Sequence, residues 1–322
     1  MEKNPISRRA FLQKASGSAA TSIACAAIPA NRGLAQSKPM RLGGPVFVNS
    51  DDPAELARAH RALGYRAAYA PDVSLPDKDR IKAILKEFVA RDVAIAEVGA
   101  WVNMLDPDPE KRRKNLAYVT ERLALAEELE ARCCVDIAGS YNPDLWYGPH
   151  PDNLSQRFFD ATVENVRKLL DAVKPRRTTF TLEMTGWNLP TGPDDYLKLI
   201  KAVERKAFAV HLDVCNAINS PERRYNNAAL IRECFAKLGR WIVSCHAKDV
   251  AWDVEMQIHF REVIPGRGGV DYKTYLQELS RLPVAAPLML EHLNTAEEYA
   301  EGRQYIQSVA RALGLSFGTK GA

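Results

Sequence analysis

The feature that most constrains this chain is an alternation repeated eight times from residue 41 onward, in which a short apolar run precedes a longer stretch of helical spacing. The runs at 41–47, 65–70, 93–98, 133–138, 178–183, 208–213, 241–246 and 287–291 read as buried parallel strands. Between and after them, 53–63, 77–91, 110–131, 153–173, 193–204, 226–238, 271–281 and 295–313 read as helices. Several helices open on a cap or a proline, as at Asp52-Pro53, Gly192-Pro193-Asp194 and Asn294-Thr295. Within 110–131, Leu116, Val119, Leu123, Ala126 and Leu129 fall on one face. Eight β-then-α units predict an α/β fold, a single-domain (β/α)8 TIM barrel over residues 36–322. The rival, a doubly wound open sheet, usually carries a glycine-rich turn after its first strand. Gly43-Gly44 has no G-x-G-x-x-G around it. Apolar residues make up 46% of the chain, enough for one large core.

The first thirty-five residues have a different character. Ser7-Arg8-Arg9-Ala10-Phe11-Leu12 precedes a small-residue segment rich in Ala and Ser, the layout of a twin-arginine signal peptide. Gly33-Leu34-Ala35 places the expected cleavage after Ala35. The chain is therefore expected to use the twin-arginine export machinery and to be periplasmic, on a route often taken by proteins that fold around a cofactor first. This segment also holds the whole net charge of +4, leaving the remainder with 39 basic and 39 acidic residues. A neutral body has no global field for a nucleic-acid backbone, so no nucleic-acid partner is expected. The body has no apolar run long enough to span a membrane. Its cysteines, 133, 134, 215, 234 and 245, are odd in number and lie mostly in or beside apolar runs. They read as buried free thiols rather than a disulfide framework or zinc site.

In a barrel of this kind, function sits where strands end. The fifth to eighth strands end at Glu183, Asp213, His246 and Glu291. Any one acid there could be a rim salt bridge. Three carboxylates and an imidazole at equivalent positions would repel one another without a cation, and a divalent ion resolves the conflict. The mixed oxygen and nitrogen donors suit Mn, Mg or Co, with Zn also admissible.

These residues carry a resemblance. Glu183, Leu212-Asp213-Val214-Cys215-Asn216, His246-Ala247-Lys248-Asp249, the turn at 265–271 and Glu291 resemble the xylose isomerase-like TIM barrel superfamily, the sugar phosphate isomerase/epimerase group, over roughly residues 40–315. The resemblance implies that Glu183, Asp213, His246 and Glu291 hold one divalent ion and that Glu183 and Glu291 are also the acid/base pair. Two departures count against ketohexose 3-epimerisation proper. Sugar 3-epimerases of the group carry a histidine where this chain has Asn216, and an arginine where it has Trp252 or Asp253.

The expected activity is that of a sugar isomerase or epimerase, removing a proton beside a metal-bound carbonyl to leave an enediolate. The alternatives are a lyase cleaving 3-keto-glycosides by elimination, and a non-catalytic periplasmic sugar-binding protein. The expected partner is a small carbohydrate, with Glu97, Trp101, Trp187, Asn216, Lys248 and His259 as further substrate-binding candidates. Lys248 would steady a developing oxyanion or orient a carboxylate, or else pair with Asp249. Glu97 and Trp101 suit a polar-plus-stacking contact, and Trp187 joins Trp146, Tyr147 and His150 in an aromatic-rich mouth. An endonuclease-IV-like site would need more than the six histidines present. The glycine-rich turn at 265–269 lacks the lysine and helix start of a phosphate loop.

Overall fold

The computed structural model describes residues 39–318; the expected export address at 1–35 lies outside the described residues. The barrel is built from β1 (Arg41–Gly43), β2 (Ala67–Tyr69), β3 (Ala94–Gly99), β4 (Cys133–Asp136), β5 (Phe180–Glu183), β6 (Phe208–Asp213) and β7 (Ile242–Ala247). An antiparallel hairpin of β8 (Asp249–Val254) and β9 (Ile258–Val263) stands outside the barrel, which β10 (Pro287–Leu290) then closes by pairing with both β7 and β1. The helices are α1 (Pro53–Ala62), α2 (Lys78–Ala90), α3 (Pro109–Glu128), α4 (Gln156–Val173), α5 (Pro193–Val203), the short α6 (Val214–Ala217) and α7 (Pro221–Tyr225), then α8 (Asn227–Leu238), α9 (Tyr272–Ser280) and α10 (Ala296–Ala312). This is a single (β/α)8 domain, with all eight expected strands and all eight expected helices in place.

Local chemistry explains the helix starts. Asp52, Asp77, Asp108, Ser155, Asp271 and Thr295 each accept a hydrogen bond from a first-turn amide, and Pro53, Pro109 and Pro193 stand where no amide donor is needed. The main core lies between barrel and helices, with Leu42, Phe88, Leu123, Phe158, Phe180, Phe208 and Leu288 all buried. All five cysteines of the described body are buried and free. No helix among the described residues is long and apolar enough to cross a membrane.

Three features differ from the sequence reading. The run at 41–47 pairs only over its first three residues, because the chain leaves the sheet after Gly43 and exposes Phe47 and Val48. The segment 249–263, read as loop, is the hairpin. Its strands pair from Asp249↔Val263 to Val254↔Ile258, and Trp252 packs against Phe260 and Tyr225. Two register shifts also mark the barrel. Between β2 and β3 the pairing steps from Ala68↔Ile95 to Tyr69↔Glu97, leaving Ala96 as an extra residue. Between β6 and β7 it steps from Val210↔Ile242 to His211↔Ser244, leaving Val243 as an extra residue. A one-residue slip reverses which face a side chain takes. These two therefore decide that Glu97, Ser244 and His246 share the barrel interior with His211 and Asp213.

Candidate metal centre

Glu183 ends β5, Asp213 ends β6, His246 lies one residue from the end of β7, and Glu291 follows β10 directly. Their donor atoms lie within 4.8 Å of one another. His246 Nδ1 is 2.7 Å from Glu291 Oε1, 3.3 Å from Glu183 Oε1 and 3.5 Å from Asp213 Oδ2. Buried hydroxyls fix the strand ends that carry these groups. Tyr196 of α5 donates to Leu182 O and Ala209 O, Tyr275 of α9 donates to His246 O at 2.9 Å, and Tyr272 donates to Lys248 O at 2.8 Å.

Lys248, two residues beyond His246, enters the same cluster. Its buried ammonium is 2.8 Å from both Asp213 Oδ2 and Glu291 Oε1, and 3.5 Å from Glu183 Oε1. Those two close oxygens nonetheless have no hydrogen bond of proper geometry, although both are buried. The ammonium offsets only part of the carboxylate charge, and a further cation among these oxygens would balance the rest. Three carboxylates against one ammonium leave two negative charges, the complement of one divalent ion with His246 neutral. The residues thus fit a divalent metal, and their oxygen-rich donor set suits Mg or Mn. Burial pushes the Glu183 carboxyl above its ordinary range, against the pull of His246 and Lys248. Burial acts the same way on Glu291, but there His246 and Lys248 prevail and hold it at about 2. Asp213 is likewise held well below its usual range, with burial outweighed by Lys248 and His246.

Beneath this tier lies a second one. Glu97 is 1% exposed and accepts three hydrogen bonds, from His211 Nε2 at 2.9 Å, Ser244 Oγ at 2.5 Å and His246 Nε2 at 3.2 Å. Contact between β3 and the distant β6 and β7 is open only to side chains inside the barrel. Burial raises the Glu97 carboxyl, but the two histidines outweigh it and keep the group ionised. Glu97 therefore receives the far nitrogen of His246 and turns Nδ1 toward the carboxylates, as carboxylates behind metal-ligating histidines do. Sequence reasoning placed Glu97 at the substrate mouth. The structure places it under the centre instead, because the register shift at Ala96 turns it inward. The partners His211 and Ser244 carry no sequence motif; each stands two residues before a candidate ligand, Asp213 and His246 respectively.

The other candidates separate. Asn216 donates to Glu183 Oε1 at 2.8 Å and its backbone amide donates to Asp213 Oδ1 at 2.8 Å, so its contacts run to the ligand carboxylates. Lys248 lies inside the cluster and does not pair with Asp249. The Asp249 carboxylate instead accepts from the amides of Val250, Gly266, Gly268 and Val270. That carboxylate thereby fills the glycine-rich turn at 265–269. His259 stands exposed on the hairpin beside Glu255, on the strand face opposite Glu262. Glu262 is the hairpin residue that reaches the centre, 3.6 Å from Lys248 and 2.9 Å from His292, and no sequence motif marked it. Trp101 and Trp187 are exposed on the loops after β3 and β5.

Comparison with known proteins bears on the fold and the family. No curated protein sequence matches the chain. Solved structures share the fold at low identity. One is a xylose isomerase-like TIM barrel protein from Mycobacterium smegmatis in complex with magnesium (19% identity, TM-score 0.59, 85% of this chain and 97% of that one). Another is the 3-keto-D-glucoside 4-epimerase YcjR from E. coli (14%, TM-score 0.59, 84% and 100%). A third is endonuclease IV from Thermus thermophilus (15%, TM-score 0.63, 85% and 100%). Such likeness establishes architecture and leaves the reaction open. The family model described as xylose isomerase-like TIM barrel matches residues 56–309, nearly the whole barrel with all four candidate ligands, and the chain belongs to that family.

Proposed function

We propose that this protein is a divalent-metal-dependent sugar isomerase or epimerase, with Glu183, Asp213, His246 and Glu291 holding the metal. The observation that carries the reading is the convergence of three largely buried carboxylates, Glu183, Asp213 and Glu291, with His246 Nδ1, all with donor atoms within 4.8 Å of one another. When bound there, a divalent ion polarises a carbonyl and its neighbouring hydroxyl. The chain's own groups do the proton work. Glu183 and Glu291 reach the centre from strand ends separated by β6 and β7, and their surroundings push their affinities for a proton in opposite directions. One carboxylate then takes the proton beside the carbonyl and the other returns one. Return to the same carbon from the other side is epimerisation, and return to the neighbouring carbon is isomerisation. Asn216 and Lys248 orient the Glu183 carboxylate during either step.

Lys248 favours a second reading, elimination from a 3-keto-glycoside. Its ammonium lies 2.8 Å from Glu291 and would stabilise an oxygen departing from the ring, a task that epimerisation does not require. The non-catalytic sugar-binding alternative predicts metal uptake without turnover. We also read residues 1–35 as a twin-arginine address delivering the protein to the periplasm. N-terminal sequencing after Ala35, with cytoplasmic retention of an Arg8→Lys/Arg9→Lys variant, would support that reading.

Elemental analysis of wild type, Glu183→Ala and His246→Ala tests the site. About one Mg, Mn, Co or Zn per chain, lost in both variants, is expected. Deuterium exchange from solvent into a keto-sugar then tests the chemistry, and release of a free aglycone separates elimination from epimerisation. A wild type that takes up no metal after soaking in Mn²⁺ would return these acids to a Lys248-centred ion-pair cluster.

A further inference from the structure

We propose that the loops after β3, β4 and β5 form a shelf for a second sugar ring, so that the substrate is a glycoside larger than one ring. This rests on the sugar reading above and names its substrate class.

Four aromatic residues on these loops are partly exposed: Trp101 at 40%, Trp146 at 36%, Tyr147 at 41% and Trp187 at 44%. Trp146 and Tyr147 meet edge to face with ring centroids 5.2 Å apart. Here the loops are laced from below by three asparagines that are all at most 1% exposed. Asn103 joins the β3 loop to the β4 loop, donating to Ser140 O at 2.8 Å and accepting from Ser140 N at 2.9 Å. Asn153 donates to Asn188 Oδ1 at 2.5 Å, and Asn188 donates to Gly139 O at 3.0 Å, which joins the β4 loop to the β5 loop. The Trp187 indole N–H donates to Tyr147 O at 2.7 Å, leaving the ring's position fixed and its face partly free.

Trp101 is placed at a conformational cost. Its φ is +37°, unfavourable for a bulky side chain, and a Cβ on Gly99 would come within 2.2 Å of its indole nitrogen. A buried amide network and a strained backbone that together hold partly exposed aromatic rings in place make a preorganised binding surface. Such faces pair with the C–H faces of pyranose rings. Trp187 is four residues beyond Glu183, so its Cα lies at most roughly 14 Å from that of Glu183. That is within reach of a ring joined to one held at the centre. The carboxylates of the centre favour a neutral, hydroxylated ligand over a phosphorylated one.

The test uses the Mn²⁺-loaded protein titrated with glucose, cellobiose and maltose by calorimetry, with saturation-transfer NMR on the metal-free or Mg²⁺ form. At least one disaccharide should bind tenfold or more tightly than glucose. Trp146→Ala and Trp187→Ala should each reduce that preference about fivefold. Trp187→Phe, which keeps a ring but loses the indole N–H, should retain most of it. Mn²⁺ affinity should stay within twofold of wild type in every variant. Disaccharide binding no tighter than glucose, undetectable binding included, would overturn the shelf, as would a Trp146→Ala/Trp187→Ala variant with its preference intact. Failure of the metal reading would show independently, as absence of Mn²⁺ uptake.

Discussion

At the scale of the residue, the centre is governed by how few charges separate a metal site from an ion-pair cluster. Lys248 already neutralises part of the carboxylate charge, so it should compete electrostatically with the metal. Lys248→Met should therefore bind Mn²⁺ at least tenfold more tightly, read by electron paramagnetic resonance titration, while its metal-free form melts lower. Unchanged affinity would mean that the ammonium does not face the ion. Glu97 predicts the opposite sign. Glu97→Gln should weaken Mn²⁺ binding about 10–100-fold, because the carboxylate that receives His246 Nε2–H is gone. Nitrogen-15 histidine spectra of the Mg²⁺-loaded wild type should show His246 protonated at Nε2, and protonation at Nδ1 would contradict the assignment. The four candidate ligands were legible in sequence because each stands at or beside the end of an apolar run. The inner tier was not, since nothing local tells Glu97 that His211, 114 positions away, will be its partner.

At the scale of the element, the strands bearing the candidate ligands are braced at their ends by buried hydroxyls, from helices for β5 to β7 and from Tyr69 of β2 for β10. Tyr275 of α9 holds His246 O, and the Asp249 carboxylate ties the 266–270 backbone with three of its four amide bonds. Gly268 makes that turn possible, since a Cβ there would stand 2.3 Å from Asp249 Oδ1. Gly268→Ala should cost about 1–3 kcal/mol in urea unfolding, because the collision displaces a carboxylate that several amides need. The hairpin of β8 and β9 behaves differently. Outside the barrel and bearing exposed Val254, Met256 and Ile258, it should not govern global stability. Replacing residues 251–261 with a short glycine-rich turn should leave one cooperative transition and the same metal stoichiometry. Loss of cooperativity would show that the hairpin belongs to the core. The hairpin escaped the sequence reading because its alternating residues are half-exposed and lack the continuous apolar run that marks a barrel strand.

At the scale of the whole molecule, buried charge couples stability to pH. Asp213 and Glu291 have folded-state pKa values below their unfolded ones, so their contribution is present above about pH 4 and is lost as pH falls toward 2. Glu183 and His246 are raised, so their contribution is present below their unfolded values and is lost as pH climbs through the folded ones. The metal-free protein should accordingly melt highest in mildly acidic solution, which a calorimetric pH series would check. Mn²⁺ at a hundred times its dissociation constant should stabilise by about 2.7 kcal/mol, raising Tm by roughly 5–10 °C in wild type and not in His246→Ala. The sequence by itself determined the eight βα units, their caps and the four strand-end donors, because periodicity, capping and strand termination are local properties of a few consecutive residues. Only the tertiary structure decided that Glu97 lies beneath the centre, that Lys248 enters it and that buried asparagines lace three loops into a shelf. Each of those depends on strand register and barrel closure, which join residues far apart along the chain.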